Sequence, residues 1–155
     1  MAAAPYLAGW VRSHVERPLL IGPDSESAQW VSEVAAGAGA PYRVLVKRRL
    51  GDRKVEITVP DLSQHSAFTP VLVDDIISSG TTMAIATESL ERQGLRAPVL
   101  LAVHALFAEG AYATLNGKAS VVATTNTVAH PSNAVDLTEP IAGAINSLLE
   151  RQPNA

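Results

Sequence analysis

The stretch that most constrains this chain is an apolar run that stops on charge: Val71-Leu-Val-Asp74-Asp75-Ile-Ile-Ser78-Ser79-Gly80-Thr81-Thr82-Met83. Pro70 to Asp74 reads as a buried strand. Two acids and a loop of small residues follow. Thr81 to Gln93 then reads as a helix, with Met83, Ala86 and Leu90 on one face and Gly94 as the C-terminal cap. A strand that feeds a helix after so short a loop belongs to an α/β architecture, because the helix must pack back on the sheet its strand enters.

The rest of the chain repeats the pattern. Leu7, Trp10, Val11, His14 and Val15 recur at helical spacing, and Pro18-Leu-Leu-Ile-Gly22 is a short buried strand. Ser25 is placed to cap a second helix lined by Ala28, Val31, Val34, Ala35 and Ala38, which Gly37, Gly39 and Pro41 end. Tyr42 to Lys47 alternates and reads as one strand. Residues 48–69 are polar for a connection, with a β-like stretch at Val55–Val59, and long polar connections often serve as lids. Pro98–Ala105 and Ala119–Thr124 are further strands. Pro140 suits the first turn of a last helix that points Ile141, Ala144, Ile145 and Leu148 inward. The expected fold is a mostly parallel sheet flanked by helices on both faces, in a single domain over residues 1–155.

Composition narrows the function classes. Lys and Arg number 12 against 15 Asp and Glu, so the basic excess that a duplex-binding surface needs is missing and nucleic acid is not an expected partner. With no cysteine, disulfides, zinc thiolates and thiol catalysis are excluded. No apolar run is long enough to span a bilayer, and residues 1–17 lack the basic start and apolar middle of a signal peptide. The expected setting is therefore cytoplasmic.

The loop after Asp75 has the means to hold a phosphate. Backbone N–H groups wrap an anion there, the helix N-terminus adds unpaired donors and a favourable dipole, and Ser78, Ser79, Thr81 and Thr82 add hydroxyls. Gly80 permits a backbone shape that larger residues resist. Asp74 and Asp75, as strand neighbours, project to opposite sides and do not chelate one ion as a simple pair. One or both are expected to accept hydrogen bonds from sugar hydroxyls or to hold magnesium through water. No Gly-x-x-x-x-Gly-Lys-Ser/Thr loop is present, and Gly37-Ala-Gly39 ends a helix instead of opening one, so it is no dinucleotide fingerprint. Lys47 and Arg49, two apart on a strand, project to the same side and suit a clamp on a transferring group. The four histidines have no metal-ligand spacing, and His104 reads as structural support. Tyr6, Trp10 and Phe107 read as core or interface residues.

Val-Asp-Asp-Ile-Ile-Ser-Ser-Gly-Thr-Thr resembles the binding motif for 5-phosphoribosyl 1-pyrophosphate (PRPP) of type I phosphoribosyltransferases and PRPP synthetases. Three further elements are similar to the synthetases, the ribose-phosphate pyrophosphokinases: Gly22-Pro-Asp24, Val46-Lys47-Arg48-Arg49, and Val103-His104-Ala-Leu-Phe107 with Thr124-Thr-Asn126-Thr127. The Ser-Ser-Gly-Thr-Thr loop is closer to their archaeal type. The resemblance runs from about residue 5 to about residue 149 and corresponds to the C-terminal half of a synthetase. The chain is then either a piece of a two-domain enzyme or a stand-alone descendant of one. Ser-Glu-Ser after Asp24 departs from the family's Pro-Asp-x-Gly-Gly.

The resemblance implies a type I phosphoribosyltransferase-like fold and, in the complete enzyme, transfer of pyrophosphate from ATP to ribose 5-phosphate. It implies substrate binding by Asp74, Asp75, Ser78, Ser79, Gly80, Thr81 and Thr82, catalytic cations at Lys47 and Arg49, and Mg2+ with Asp24 as a metal residue. The partners implied are ribose 5-phosphate, ATP, PRPP and further copies of the chain. The alternatives are a small phosphoribosyltransferase acting on PRPP and a base, for which no hood segment is visible, and a non-catalytic PRPP-binding or regulatory homologue.

Overall fold

The computed structural model describes residues 2–50, 54–58 and 60–150, with the backbone alone for 47–50 and 54–58. Eleven residues of helix α1 (Ala4–His14) lead into strand β1 (Pro18–Gly22), followed by α2 (Ala28–Ala38) and β2 (Tyr42–Val44). Strands β3 (Val46–Leu50) and β4 (Lys54–Thr58) come next, then the long β5 (Thr69–Ile77) and α3 (Thr81–Arg92). The chain continues through β6 (Val99–Ala105), α4 (Ala111–Asn116), β7 (Val121–Thr125), β8 (Asn133–Val135) and α5 (Thr138–Glu150).

Six strands form one sheet in the order β2-β1-β5-β6-β7-β8, every neighbouring pair parallel. The pleat sorts their side chains onto two faces. Leu20, Val71, Val73 and Leu101 join Leu7, Val11, Val31 and Val34 of α1 and α2 in one core. Leu19, Ile21, Leu72 and Leu100 join Met83 and Leu90 of α3 and Leu115 of α4 in the other. With apolar residues on both sides, the inner strands lose the alternation that a one-sided sheet shows.

Four local expectations are revised. The second helix begins at Ala28, not after Ser25. Asp24 caps a turn of 3-10 helix over Ser25–Ser27, its Oδ1 accepting from the Glu26 and Ser27 amides at 3.1 and 3.3 Å. The Ser27 hydroxyl lies on Asp24 in return, which makes a capping box and explains why Ser27 is buried. Gly37 lies inside α2, and Gly39, at φ +66°, ends it.

The strand expected over 42–47 is two strands. β2 joins the main sheet, while β3 turns away and pairs antiparallel with β4, Lys47 facing Ile57 and Arg49 facing Val55. Of the segment read as a polar connection, residues 48–50 and 54–58 belong to this ribbon; residues 51–53 and 59 lie outside the described residues. Finally, α5 buries none of its residues. Ile141, Ile145 and Leu148 are 39, 51 and 66% exposed. The apolar stripe is real, but α1 and α2 already cover that side of the inner strands.

Candidate functional site

The site is built at the carboxyl ends of the parallel strands, where open α/β sheets bind ligands. β5 carries its buried run through Val73 and emerges at Asp74, half-buried, and Asp75, exposed. The Asp75 amide donates to Asp74 Oδ1 at 3.0 Å. Burial pushes the Asp74 carboxyl up to about 7, and the charges of Asp75 and Asp24 push the same way, against the lowering effect of that amide bond. The two carboxylates also meet at the strand end: with Asp24, Glu26 and Trp30 they wall an acidic pocket of about 280 Å3. Strand alternation alone does not show this convergence.

The loop that follows is shaped by Gly80. Its φ is +71°, and it stands as the N-cap of α3 with no side-chain cap, the Thr81 amide donating instead to the Ser79 hydroxyl at 3.4 Å. The Ser79 and Thr81 hydroxyls touch at 3.1 Å, and both residues are exposed. Among the described residues, nothing accepts the Ser79 and Gly80 backbone N–H groups. Ser78 and Thr82 flank them, one exposed and one half-buried. A Cβ on Gly80 would lie 2.9 Å from Leu115, so α4 backs this loop closely. The same loop lines a separate cavity of about 370 Å3 with Glu109 and Thr114. The β6 exit is tied to it as well, the Leu106 and Ala108 amides each donating at 3.1 Å to the carbonyls of Ile77 and Ser78.

The expected residues thus gather at one edge of the sheet: Asp24 after β1, Asp74 and Asp75 at the end of β5, and Ser78 to Thr82 before α3. Lys47 and Arg49 do not extend a main-sheet strand. They sit on the hairpin, and their side chains lie outside the described residues. Among the described residues, no group of three or more His, Asp or Glu is disposed to hold a metal ion by itself. The donor set is one of carboxylate oxygens, with Asp24 Oδ1 engaged by two amides. That suits a hard cation such as Mg2+, which takes one or two carboxylates and completes its shell with water and substrate phosphate.

Sequence reasoning missed Glu26 and Trp30 as site walls. The signal was present in Asp24-Ser-Glu26-Ser27, a capping box that turns Glu26 out beside Asp24. It read His104 as structural support ahead of catalysis. The ring does lean on Thr127, with Nδ1 2.9 Å from its hydroxyl, but it lines a further cavity with Asp75.

A parallel sheet with a capped acidic turn after its first strand and a strand–acid–loop–helix unit at its centre defines a class. The phosphoribosyl transferase domain model matches residues 2–137, and the chain belongs to that family. Within it, the chain is similar to ribose-phosphate pyrophosphokinases. It is 36% identical over 132 residues to that of Methanopyrus kandleri, spanning 84% of this chain and 45% of that protein. It is 35% identical over 147 residues to that of Sulfurisphaera tokodaii, spanning 91% and 50%. The chain spans about half the length of these curated relatives.

Among solved structures, the phosphoribosylpyrophosphate synthetase from Mycobacterium smegmatis superposes with a TM-score of 0.81 at 24% identity, over 98% of this chain and 52% of that one. The adenine phosphoribosyltransferase (APRTase) of Giardia lamblia follows at 0.64 and 18%, over 79% and 77%. These likenesses establish the fold. In addition, no helix among the described residues is long and apolar enough to cross a membrane.

Proposed function

We propose that this chain is a ribose-phosphate pyrophosphokinase-type domain that binds ribose 5-phosphate at the end of β5, corresponds to the C-terminal half of such an enzyme, and works in the cytoplasm. The observation that carries this reading is the pairing of opposite polarities on one strand end. Unaccepted N–H groups at Ser79 and Gly80 and the first turn of α3 suit a phosphate. Asp74 and Asp75, immediately before them, suit sugar hydroxyls. The ribose-phosphate pyrophosphokinase names of the relatives support the same assignment.

In the complete reaction the anomeric hydroxyl oxygen bonds to the β-phosphorus of ATP. The bond from that phosphorus to the α–β bridging oxygen breaks, AMP leaves, and the hydroxyl proton passes to solvent. The loop anchors the 5-phosphate and so fixes the anomeric carbon, which supplies orientation. Lys47 and Arg49, both on the hairpin, are the cations that would offset charge on the transferring oxygens; loss of one such cation costs about 3 kcal/mol of barrier. Mg2+, held by Asp24 and Asp75 through water, would neutralise phosphate charge. The reading carries the expectation that copies of the chain associate, which sedimentation at working concentration checks.

Binding of ribose 5-phosphate by calorimetry, with the Ser79, Gly80 and Thr81 amides followed by NMR, tests the assignment. Large shifts at those amides are expected, and unchanged amides at saturating ligand would refute it. AMP release that requires Mg2+, ATP and ribose 5-phosphate then tests turnover. Glu26 adds a negative charge to the pocket wall, and this favours a second reading, a domain that binds the sugar phosphate without turning it over. Binding without AMP release identifies that case.

A further inference from the structure

The chemistry of the sheet edge inverts across Asp75. On one side lie the donors of the phosphate loop. On the other, a cavity of about 340 Å3 is walled by Asp75, His104 and Thr127 among apolar residues such as Val103 and Leu137. None of its lining residues is cationic. His104 stands on β6 beside Ile76 of β5, one residue past Asp75.

The protonation pattern of His104 follows from hydrogen-bond accounting. The Thr125 and Thr127 hydroxyls both reach the Val103 carbonyl, at 2.8 and 3.1 Å, and lie 3.0 Å from each other. The Thr127 hydroxyl also lies 2.9 Å from His104 Nδ1. A carbonyl only accepts, and each hydroxyl has a single proton to give. Two hydroxyl protons cannot serve all four contacts, and a proton on Nδ1 satisfies one more of them than a proton on Nε2 would. Hydrogen-bond accounting therefore favours the Nδ1–H tautomer, which leaves Nε2 an acceptor with no partner among the described residues.

The support for this network is rigid. Thr125 is fully buried. The Asn126 side chain, between the two threonines, donates to Asp136 and Thr138 at 2.7 and 3.0 Å and accepts from the Leu137 amide at 2.8 Å. The whole Thr-Asn-Thr segment is thereby fastened to both β6 and the start of α5. A ring held by Thr127, which is itself tied to the buried Thr125, is preorganised for recognition.

We propose that His104 is a further substrate-binding residue, whose Nε2 accepts a hydrogen bond from a sugar hydroxyl of the ligand anchored in the 78–82 loop, and that Thr127 is its positioning residue. This rests on the sugar-phosphate reading above and adds to it. Two acceptors, Nε2 and the Asp75 carboxylate, with no cation beside them, select a hydroxyl-bearing group and reject a second phosphate.

The test uses the 155-residue chain at pH 8. Long-range 15N spectra of the histidines should show a protonated Nδ1 and a bare Nε2 at His104, with the Nε2 signal moving when ribose 5-phosphate is added. His104→Phe should weaken ribose 5-phosphate about five- to tenfold while leaving inorganic phosphate binding within twofold. Thr127→Val should mix the two tautomers and weaken the sugar phosphate in the same direction, and Thr127→Ser should restore both. Sugar-phosphate affinity unchanged in His104→Phe, with loop amides still shifting, overturns the proposal and leaves the phosphate cradle standing. Loop amides that ignore both ligands overturn the cradle and the proposal together. An Nε2–H tautomer in the free protein overturns the role given to Thr127.

Discussion

Asp74 shows how a single residue links the site to stability. Its carboxyl titrates near 7 in the fold against 3.8 for the ordinary side chain, with burial the leading cause. The folded state therefore holds a proton that the unfolded chain has already released between those values. Stability falls as pH rises from about 4 to about 7 and stays lowered above. Thermal unfolding followed from pH 5 to pH 8 should show a decline in midpoint. Asp74→Asn should flatten it and melt higher than the parent at pH 8, while losing sugar-phosphate affinity. An equal slope in both proteins would remove the claim that this carboxyl drives the trend. A fold that gives up stability to keep an acid at a strand end fits a site better than a scaffold.

Glycines separate conformation from space at the same scale. Gly39 and Gly80 both adopt left-handed φ, at +66° and +71°. A Cβ at Gly39 meets nothing within 4 Å, whereas at Gly80 it meets Leu115 at 2.9 Å. Gly39→Ala should cost roughly 1–2 kcal/mol from backbone strain alone. Gly80→Ala should cost more, and Leu115→Ala in the same chain should recover part of the difference. Denaturant titration of the three variants measures this coupling.

Among the elements, α5 and the β3–β4 ribbon depart furthest from expectation. Period alone pointed Ile141, Ile145 and Leu148 inward, and the residues do share a stripe; Ile141 lines the cavity beside His104, and what Ile145 and Leu148 lack, among the described residues, is a surface to meet. Leu148→Ser should change unfolding free energy by less than about 0.5 kcal/mol, the range of surface positions. A loss of 2 kcal/mol or more would show the stripe to be packed. The ribbon differs because one alternating run carries no mark of where it leaves the sheet. Tyr42 to Lys47 reads as a unit, yet Leu45, which donates its amide to Gly22 and is fully buried, ends the main-sheet pairing there. Strand pairing depends on partners distant in sequence, so it is decided by tertiary packing.

At the scale of the molecule, the central strands serve two cores at once. Leu100 faces α3 and α4, Leu101 faces α1 and α2, and both are fully buried. Leu100→Ala and Leu101→Ala should each cost about 2–5 kcal/mol, and each should shift one common transition instead of splitting it. Distinct transitions seen by probes on the two faces would show that the cores unfold separately.

The strand–acid–loop–helix unit, the parallel sheet and the family were all legible in the residue order, because their causes are local: a run of apolar residues, a glycine where φ must be positive, a hydroxyl-rich turn. Asp74, Asp75 and the 78–82 loop could be named from that order alone. Their convergence with Asp24 and Glu26, the contact of His104 with Thr127 and the exposed face of α5 were decided only by the tertiary structure. Each depends on groups from separate strands or helices meeting, or failing to meet, across the end of the sheet, and sequence spacing does not encode distance between segments that fold together from afar.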